Sequence, residues 1–230
     1  MNDLFSLEGK YAVVSGGAGG MGRGIAEGLI TYGADVALAD ISAEGLERAA
    51  RELEAATGKK VRTYAVNLTE ESDVQRVVDE HVAAVGRVDI LVNAQGINVK
   101  APATEFPMDG WDKLFQVNVK SVMLCCKLFG AQMCKQGGGK IVSLSSVRGV
   151  RGTLGGNTGY CATKGAIDAM TRNLACELAP HNVCVNALGP IITITPMTEE
   201  RVKREADRYE KMLVNVPMGR MGTVADLIGP

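Results

Sequence analysis

The chain of 230 residues carries a formal net charge of −1 and is 46% apolar, with only 4% aromatics. That is enough chain for one large, aliphatic-cored α/β domain, and no Lys/Arg block marks it for nucleic acid or an anionic membrane surface. The opening MNDLFSLEGK is too polar for a signal peptide and no stretch reaches roughly 18 uninterrupted apolar residues, so a cytoplasmic protein with no membrane partner is expected. Six cysteines, at 125, 126, 134, 161, 176 and 184, show no CxxC spacing and fall mostly in apolar patterns, as small buried hydrophobes do. With only His81 and His181 available, neither a metal site nor a His-based nucleophile is expected.

The first predicted strand, 11–15 (YAVVS), runs into SGGAGGMG, where five glycines stand between positions 16 and 22. Glycine buries no side chain and loses the most backbone entropy, so such a cluster calls for a tight turn or the close approach of another molecule. Helices near 22–32, 43–57, 70–86, 109–136, 159–179 and 197–213 alternate with strands at 35–40 (DVALAD), 61–67 (VRTYAVN), 88–93 (VDILVN), 140–146 (KIVSLSS) and 183–188 (VCVNAL). The glycine-punctuated stretch 148–159 reads as a loop inside the domain, and no linker or repeat divides residues 1–230. Strands apolar on both faces and separated by helices predict one doubly wound parallel sheet, Rossmann-like, with helices on both sides.

In such a sheet the first strand-to-helix turn faces the ligand crevice, where glycines admit a pyrophosphate and the helix N-terminus favours its charge. Asp40 closes the second strand twenty residues after Gly20, where a carboxylate accepts hydrogen bonds from the adenosine ribose. It would repel a 2′-phosphate. That favours NAD over NADP, with Arg23 close by acting in the opposite sense. Further on, GYCATKGA puts Tyr160 and Lys164 four residues apart, on one face of a helix. A neighbouring ammonium and an oxidised nicotinamide would stabilise the phenolate, leaving Tyr160 to exchange a proton with a carbonyl or hydroxyl.

These motifs together resemble the short-chain dehydrogenase/reductase family, over essentially the whole chain. Ser15, Gly16, Gly20 and Gly22 match its cofactor turn, Asn118 in QVNVKS its helix asparagine, Ser146 its catalytic serine, and Tyr160 with Lys164 its Tyr-x-x-x-Lys. The resemblance implies Tyr160 as general acid/base, Lys164 lowering its pKa and holding the nicotinamide ribose, Ser146 bonding the reacting oxygen and Asn118 ordering a relay water. It implies cofactor contacts from Ser15, Gly16, Gly20, Met21, Gly22, Asp40, Asn67, Leu68, Asn93, Gly96, Tyr160, Lys164, Pro190 and Thr195, and a symmetric homo-oligomer, most simply a tetramer. The chain departs from the family pattern at Gln95 in NAQG, at Asn67 in place of an aspartate, and at Pro190-Ile191 in place of Pro-Gly. Ser146 also stands fourteen residues before Tyr160 rather than thirteen, which leaves Ser145 as an alternative. The chain stops at ADLIGP, where the family continues to another strand.

GINVKAPATEFPMDGW and VPMGRMG look most like the branch that includes gluconate 5-dehydrogenases and related polyol or sugar-acid enzymes. The implied activity is NAD(H)-dependent interconversion of a secondary alcohol and a ketone on a small polyhydroxylated substrate. Lys100, Arg148 and Arg151 fall in segments that should border the substrate cleft, where a guanidinium could clamp a carboxylate. Trp111 and Met218 read as packing residues near it. Two other readings stay open: a 3-oxoacyl carrier-protein reductase, against which Asp40 counts, and a catalytically silent dinucleotide-binding regulator, against which the Ser146, Tyr160 and Lys164 set counts.

Overall fold

The computed structural model describes residues 4–230. Six parallel strands, β1 (Tyr11–Ser15), β2 (Asp35–Asp40), β3 (Arg62–Ala65), β4 (Ile90–Asn93), β5 (Gly139–Leu144) and β6 (Val183–Leu188), lie in the order β3-β2-β1-β4-β5-β6. The doubly wound sheet is therefore observed. Because the order reverses between β1 and β4, a crevice opens over the carboxyl ends of these two strands. Register places Ser15 level with Ala39 on one side and Asn93 on the other, and Asn93 level with Ser143. The residues that follow these strands thus emerge along one rim.

The helices are α1 (Gly20–Thr31), α2 (Ala43–Thr57), α3 (Glu71–Val85), α4 (Met108–Phe115), α5 (Ser121–Lys135), α6 (Thr158–Leu178), α7 (Pro196–Arg204) and α8 (Ala206–Leu213). Successive strand residues feed opposite layers. Val13 packs with Phe129, Met133 and Ile141 under α3, α5 and α6, while Val14 packs with Ile25, Leu46 and Leu53 under α1 and α2. Both valines are fully buried, which is why β1 reads as apolar without alternation.

The structure corrects several expectations. The helix expected over 109–136 is interrupted by a π turn, Gln116–Lys120, between α4 and α5. One inserted residue barely disturbs a hydrophobic period, so the pattern runs through it. The helix expected over 197–213 is two helices, and a two-stranded parallel pair, β7 (Thr193–Ile194) with β8 (Gly222–Thr223), was too short to leave a pattern. β5 ends at Leu144, which puts Ser145 and Ser146 past the strand. Cys125 and Cys126 are buried, but Cys176 and Cys184 are exposed. By length and hydropathy the continuous stretch Met108–Lys135 would suffice to cross a bilayer, yet Cys125, Phe129 and Met133 are spent on the core.

Candidate active site

β1 ends at Ser15 and the chain turns through Gly16 at φ +73°. A side chain is disfavoured there twice over, since its Cβ would also fall on the Ala94–Gln95 backbone. α1 then starts at Gly20 behind a Gly19 cap that supplies no side-chain hydrogen bond. Its first N–H groups and positive dipole end face the turn. A Cβ on Gly22 would run into the Gly16 carbonyl, and one on Gly20 would lie 2.8 Å from Thr195 Cβ. The result is a bare backbone cradle with Thr195 packed on it. Alongside runs a cleft of about 110 Å³, bordered by Gly16, Asp40, Asn67, Leu68, Gln95 and Val117.

Asp40 is fixed at one end of this cleft. Its carboxylate accepts the Ala18 N–H at 3.2 Å and the Ser42 N–H at 3.1 Å. Arg23 points elsewhere, into ion pairs with Glu27 at 3.5 Å and Glu52 at 3.4 Å. Asn67 Oδ1 accepts from the Thr69 backbone N–H at 3.2 Å and from the Thr69 hydroxyl at 2.9 Å. Met21 and Leu68 pack their side chains toward the core around the cradle. Two residues expected at the cofactor turn inward instead. Ser15 is fully buried and donates to Gln95 Oε1 at 2.7 Å, while Asn93 Nδ2 donates to Ser143 Oγ at 3.1 Å. Their side chains hold strand ends together.

Beyond β5, Ser146 opens a short 3₁₀ turn, Val147–Gly149; its Oγ accepts the Arg148 N–H at 3.2 Å and donates to the Pro190 carbonyl at 3.3 Å. Tyr160 sits in the first turn of α6 and Lys164 one turn later, with Lys164 Nζ 5.6 Å from the centre of the tyrosine ring. Ser145 separates from this group, its Oγ donating to the Lys164 carbonyl at 3.2 Å inside the fold. Burial raises the Tyr160 pKa above its ordinary value, opposed by a hydrogen bond from Ser146 and by the Arg148 charge, with Cys161 adding to the rise. Burial likewise pulls Lys164 down to about 8, against the pull of Asp168. Lys164 Nζ is committed elsewhere, to the Leu144 carbonyl at 2.6 Å.

Asn118 lies in the π turn and is fully buried. Its Oδ1 accepts the Ile97 N–H at 2.8 Å, and its Nδ2 donates to the Ile97 carbonyl at 2.9 Å and to Thr163 Oγ1 at 3.1 Å. Thr163 in turn donates to the Tyr160 carbonyl at 2.8 Å. Between these groups stands Gly96. A Cβ there would lie 3.5 Å from Asn118 Oδ1 and 3.7 Å from Lys164 Nζ, in ordinary contact with both.

Of the expected substrate residues, Arg148 Nη1 donates to the Gly152 carbonyl at 3.1 Å, and Lys100 and Arg151 are exposed. Trp111 stacks at 4.9 Å on Phe115 and meets Phe106 edge-on, as a packing residue does; Met218 is exposed. The structure adds Ile41, Val117, Ser121 and Thr163, which the sequence reading passed over. Ile41 carried a signal, being a large apolar residue directly after the strand-ending acid.

A phenol hydroxyl, a second hydroxyl and an ammonium thus stand along the same rim of the sheet as a backbone cradle suited to phosphate. The residues present fit a nicotinamide dinucleotide, which when bound supplies the hydride chemistry, leaving the chain to supply position and a proton. Residues 10–206 match the family model of the short chain dehydrogenases, and the chain belongs to that family of oxidoreductases. It is 37% identical over 216 residues to the 3-oxoacyl (acyl-carrier-protein) reductase of Thermotoga maritima, covering 94% of this chain and 86% of the relative. An NAD+-bound xylitol dehydrogenase superposes with a TM-score of 0.90 at 31% identity, covering 99% of this chain and 91% of that one. A gluconate 5-dehydrogenase from Burkholderia cenocepacia, in complex with NADP and tartrate, does so with a TM-score of 0.91 at 30% identity, covering 99% and 88%.

Proposed function

We propose that the protein uses NAD(H) to interconvert a secondary alcohol and a ketone on a small polyhydroxylated molecule, such as a sugar acid or polyol. The observation that carries the cofactor choice is the Asp40 carboxylate, held by two backbone N–H groups at the end of β2. A fixed negative charge there accepts hydrogen bonds from ribose hydroxyls and repels a 2′-phosphate. Arg23 is taken up by two glutamates and offers that phosphate little. The solved neighbours include one complex with NAD+ and two with NADP, so the choice rests on Asp40 itself.

In this reading Gly16, Gly20, Met21, Gly22, Asn67, Leu68, Gly96, Pro190 and Thr195 border the dinucleotide, and Ser15 and Asn93 brace its cradle. Tyr160 passes a proton to or from the reacting oxygen, which Ser146 holds by a hydrogen bond. Lys164 steadies the nicotinamide ribose. Asn118, locked to Ile97, orders a water in the space beside Gly96. The substrate class draws on the likeness to xylitol and gluconate enzymes and on a carboxylate clamp from Lys100, Arg148 and Arg151. A 3-oxoacyl carrier-protein reductase is the second reading, favoured by the 37% identity to such an enzyme.

The same proposal takes the protein as a symmetric homo-oligomer, a tetramer, in the cytoplasm. An apolar groove of about 790 Å³ lined by Phe115, Val119, Met123 and Met170 gives a second copy a surface to cover. All six cysteines are free thiols, as suits a reducing compartment. The deciding experiment is a titration with NAD and NADP, followed by a dehydrogenation screen of polyols, sugar acids and 3-hydroxyacyl thioesters. Tighter NAD binding and turnover of a polyol or sugar acid support the reading. Preference for NADP, with activity confined to thioesters, supports the second.

A further inference from the structure

Gln95 interrupts a family pattern and yet its side chain bonds residues of two other elements. Its Oε1 accepts from Ser15 at 2.7 Å and its Nε2 donates to Ser121 Oγ at 3.0 Å. Ser15 is the residue from which the glycine-rich turn departs. Ser121 is the first residue after the π turn that carries Asn118, and both serines are at most 1% exposed. Ser121 finishes the π turn twice over: its N–H bonds the Gln116 carbonyl, and its hydroxyl donates to the Val117 carbonyl at 2.6 Å. The Gln95 backbone is also the surface against which Gly16 packs, and its side chain borders the cleft.

The segment after β4 is therefore clamped to the π turn at two points. One is Ile97 with Asn118 and the other is Gln95 with Ser121; only the second also reaches the glycine-rich turn. We propose that Gln95 is a positioning residue that couples occupancy of the glycine-rich turn to the order of the π turn bearing Asn118, through Ser15 on one side and Ser121 on the other. The proposal rests on the dinucleotide reading of the cleft. Buried polar chains of this kind act as a unit, so loss of either end of the Gln95–Ser121 link should have the effect of losing both.

The test uses NADH and hydrogen exchange followed by mass spectrometry, with no substrate needed. In the unmodified protein NADH should slow exchange by about tenfold or more both in peptides spanning 14–24 and in those spanning 116–124, a factor that one hydrogen-bond's worth of stability supplies. In Gln95→Ala the first protection persists at saturating NADH while the second falls below about twofold. Ser121→Ala, which keeps Gln95 itself, gives the same split, and the double variant adds nothing further. Should Gln95→Ala fail to fold, Ser121→Ala and the near-isosteric Gln95→Glu, which removes the donor to Ser121, carry the test. Full NADH protection of 116–124 in these variants, or additive losses in the double variant, overturns the coupling. Failure of the unmodified protein to bind either NADH or NADPH overturns instead the reading of the cleft on which the coupling rests.

Discussion

Lys164 Nζ stands 5.6 Å from the centre of the Tyr160 ring and donates to the Leu144 carbonyl at 2.6 Å, so the ammonium is held beside the phenol without bonding it. Under the proposed function its remaining donors hold the nicotinamide ribose. In the proposed reaction the proton itself travels through the tyrosine hydroxyl. Tyr160→Phe keeps the ring and removes that route. Turnover should fall by the ~10²- to 10⁴-fold typical of lost acid–base catalysis, with NADH binding retained. Steady-state rates alongside a fluorescence titration check this, and unchanged turnover would remove Tyr160 from the role.

Asp40→Ala leaves the Ala18 and Ser42 N–H groups without their carboxylate and takes a negative charge from the end of β2. Affinity for NADP should rise relative to NAD, by about tenfold for each 1.4 kcal/mol of repulsion removed. Paired titrations read the ratio directly. A ratio that stays the same in the variant would show that Asp40 does not discriminate.

Gly96→Ala adds a methyl at ordinary contact distance from Asn118 Oδ1 and Lys164 Nζ, so folding should survive. The methyl would occupy the space in which a relay water is proposed. Turnover should drop by roughly tenfold or more, while the melting temperature shifts only slightly. Thermal melts and initial rates separate the outcomes, and a fully active variant would argue against a relay there.

His81 supplies a pH prediction unconnected with catalysis. It is 1% exposed, its Nε2 has no hydrogen-bond partner among the described residues, and its Nδ1 lies 3.4 Å from the Tyr64 hydroxyl. Burial, with help from the Arg62 charge, lowers its pKa from 6.5 to about 4. Below pH 6.5 the unfolded chain therefore takes up a proton that the folded one refuses. Stability should decline as pH falls from 6.5 toward 4, by about 3 kcal/mol in all from this group. Denaturation midpoints across that range should flatten in His81→Gln, which cannot titrate; parallel curves for the two proteins would count against His81 as the source.

The strands of the main sheet were legible because β-branched runs mark them, and all six fall within two residues of their expected starts and ends. Tyr160 and Lys164 were legible because a four-residue interval fixes a shared helical face. Side-chain direction at a strand end was not. Ser15 and Asn93 lie where the cofactor pattern puts them, yet the pleat turns both toward neighbouring strands. Nor does periodicity register a π turn, whose bonding differs from an α-helix by one residue, so the setting of Asn118 emerged only with its partners Ile97 and Thr163. The burial that raises the Tyr160 pKa is likewise a tertiary property that a four-residue spacing does not carry.

The pairing of β7 with β8 has a bearing on how this chain could diversify. Residues 195–221, with both α7 and α8, leave the body beside Thr193–Ile194 and return to the same spot at Gly222–Thr223. The returning end is fastened by Arg220 on Asp226, at 2.7 and 2.8 Å, and by Val224 and Ile228 seated over the bare glycines of α1. A hoop whose two feet stand together can be lengthened, shortened or rewritten without tugging on the sheet. Beyond Thr195, which packs on the glycine cradle, this segment can therefore change while Tyr160, Lys164 and the cradle keep their places.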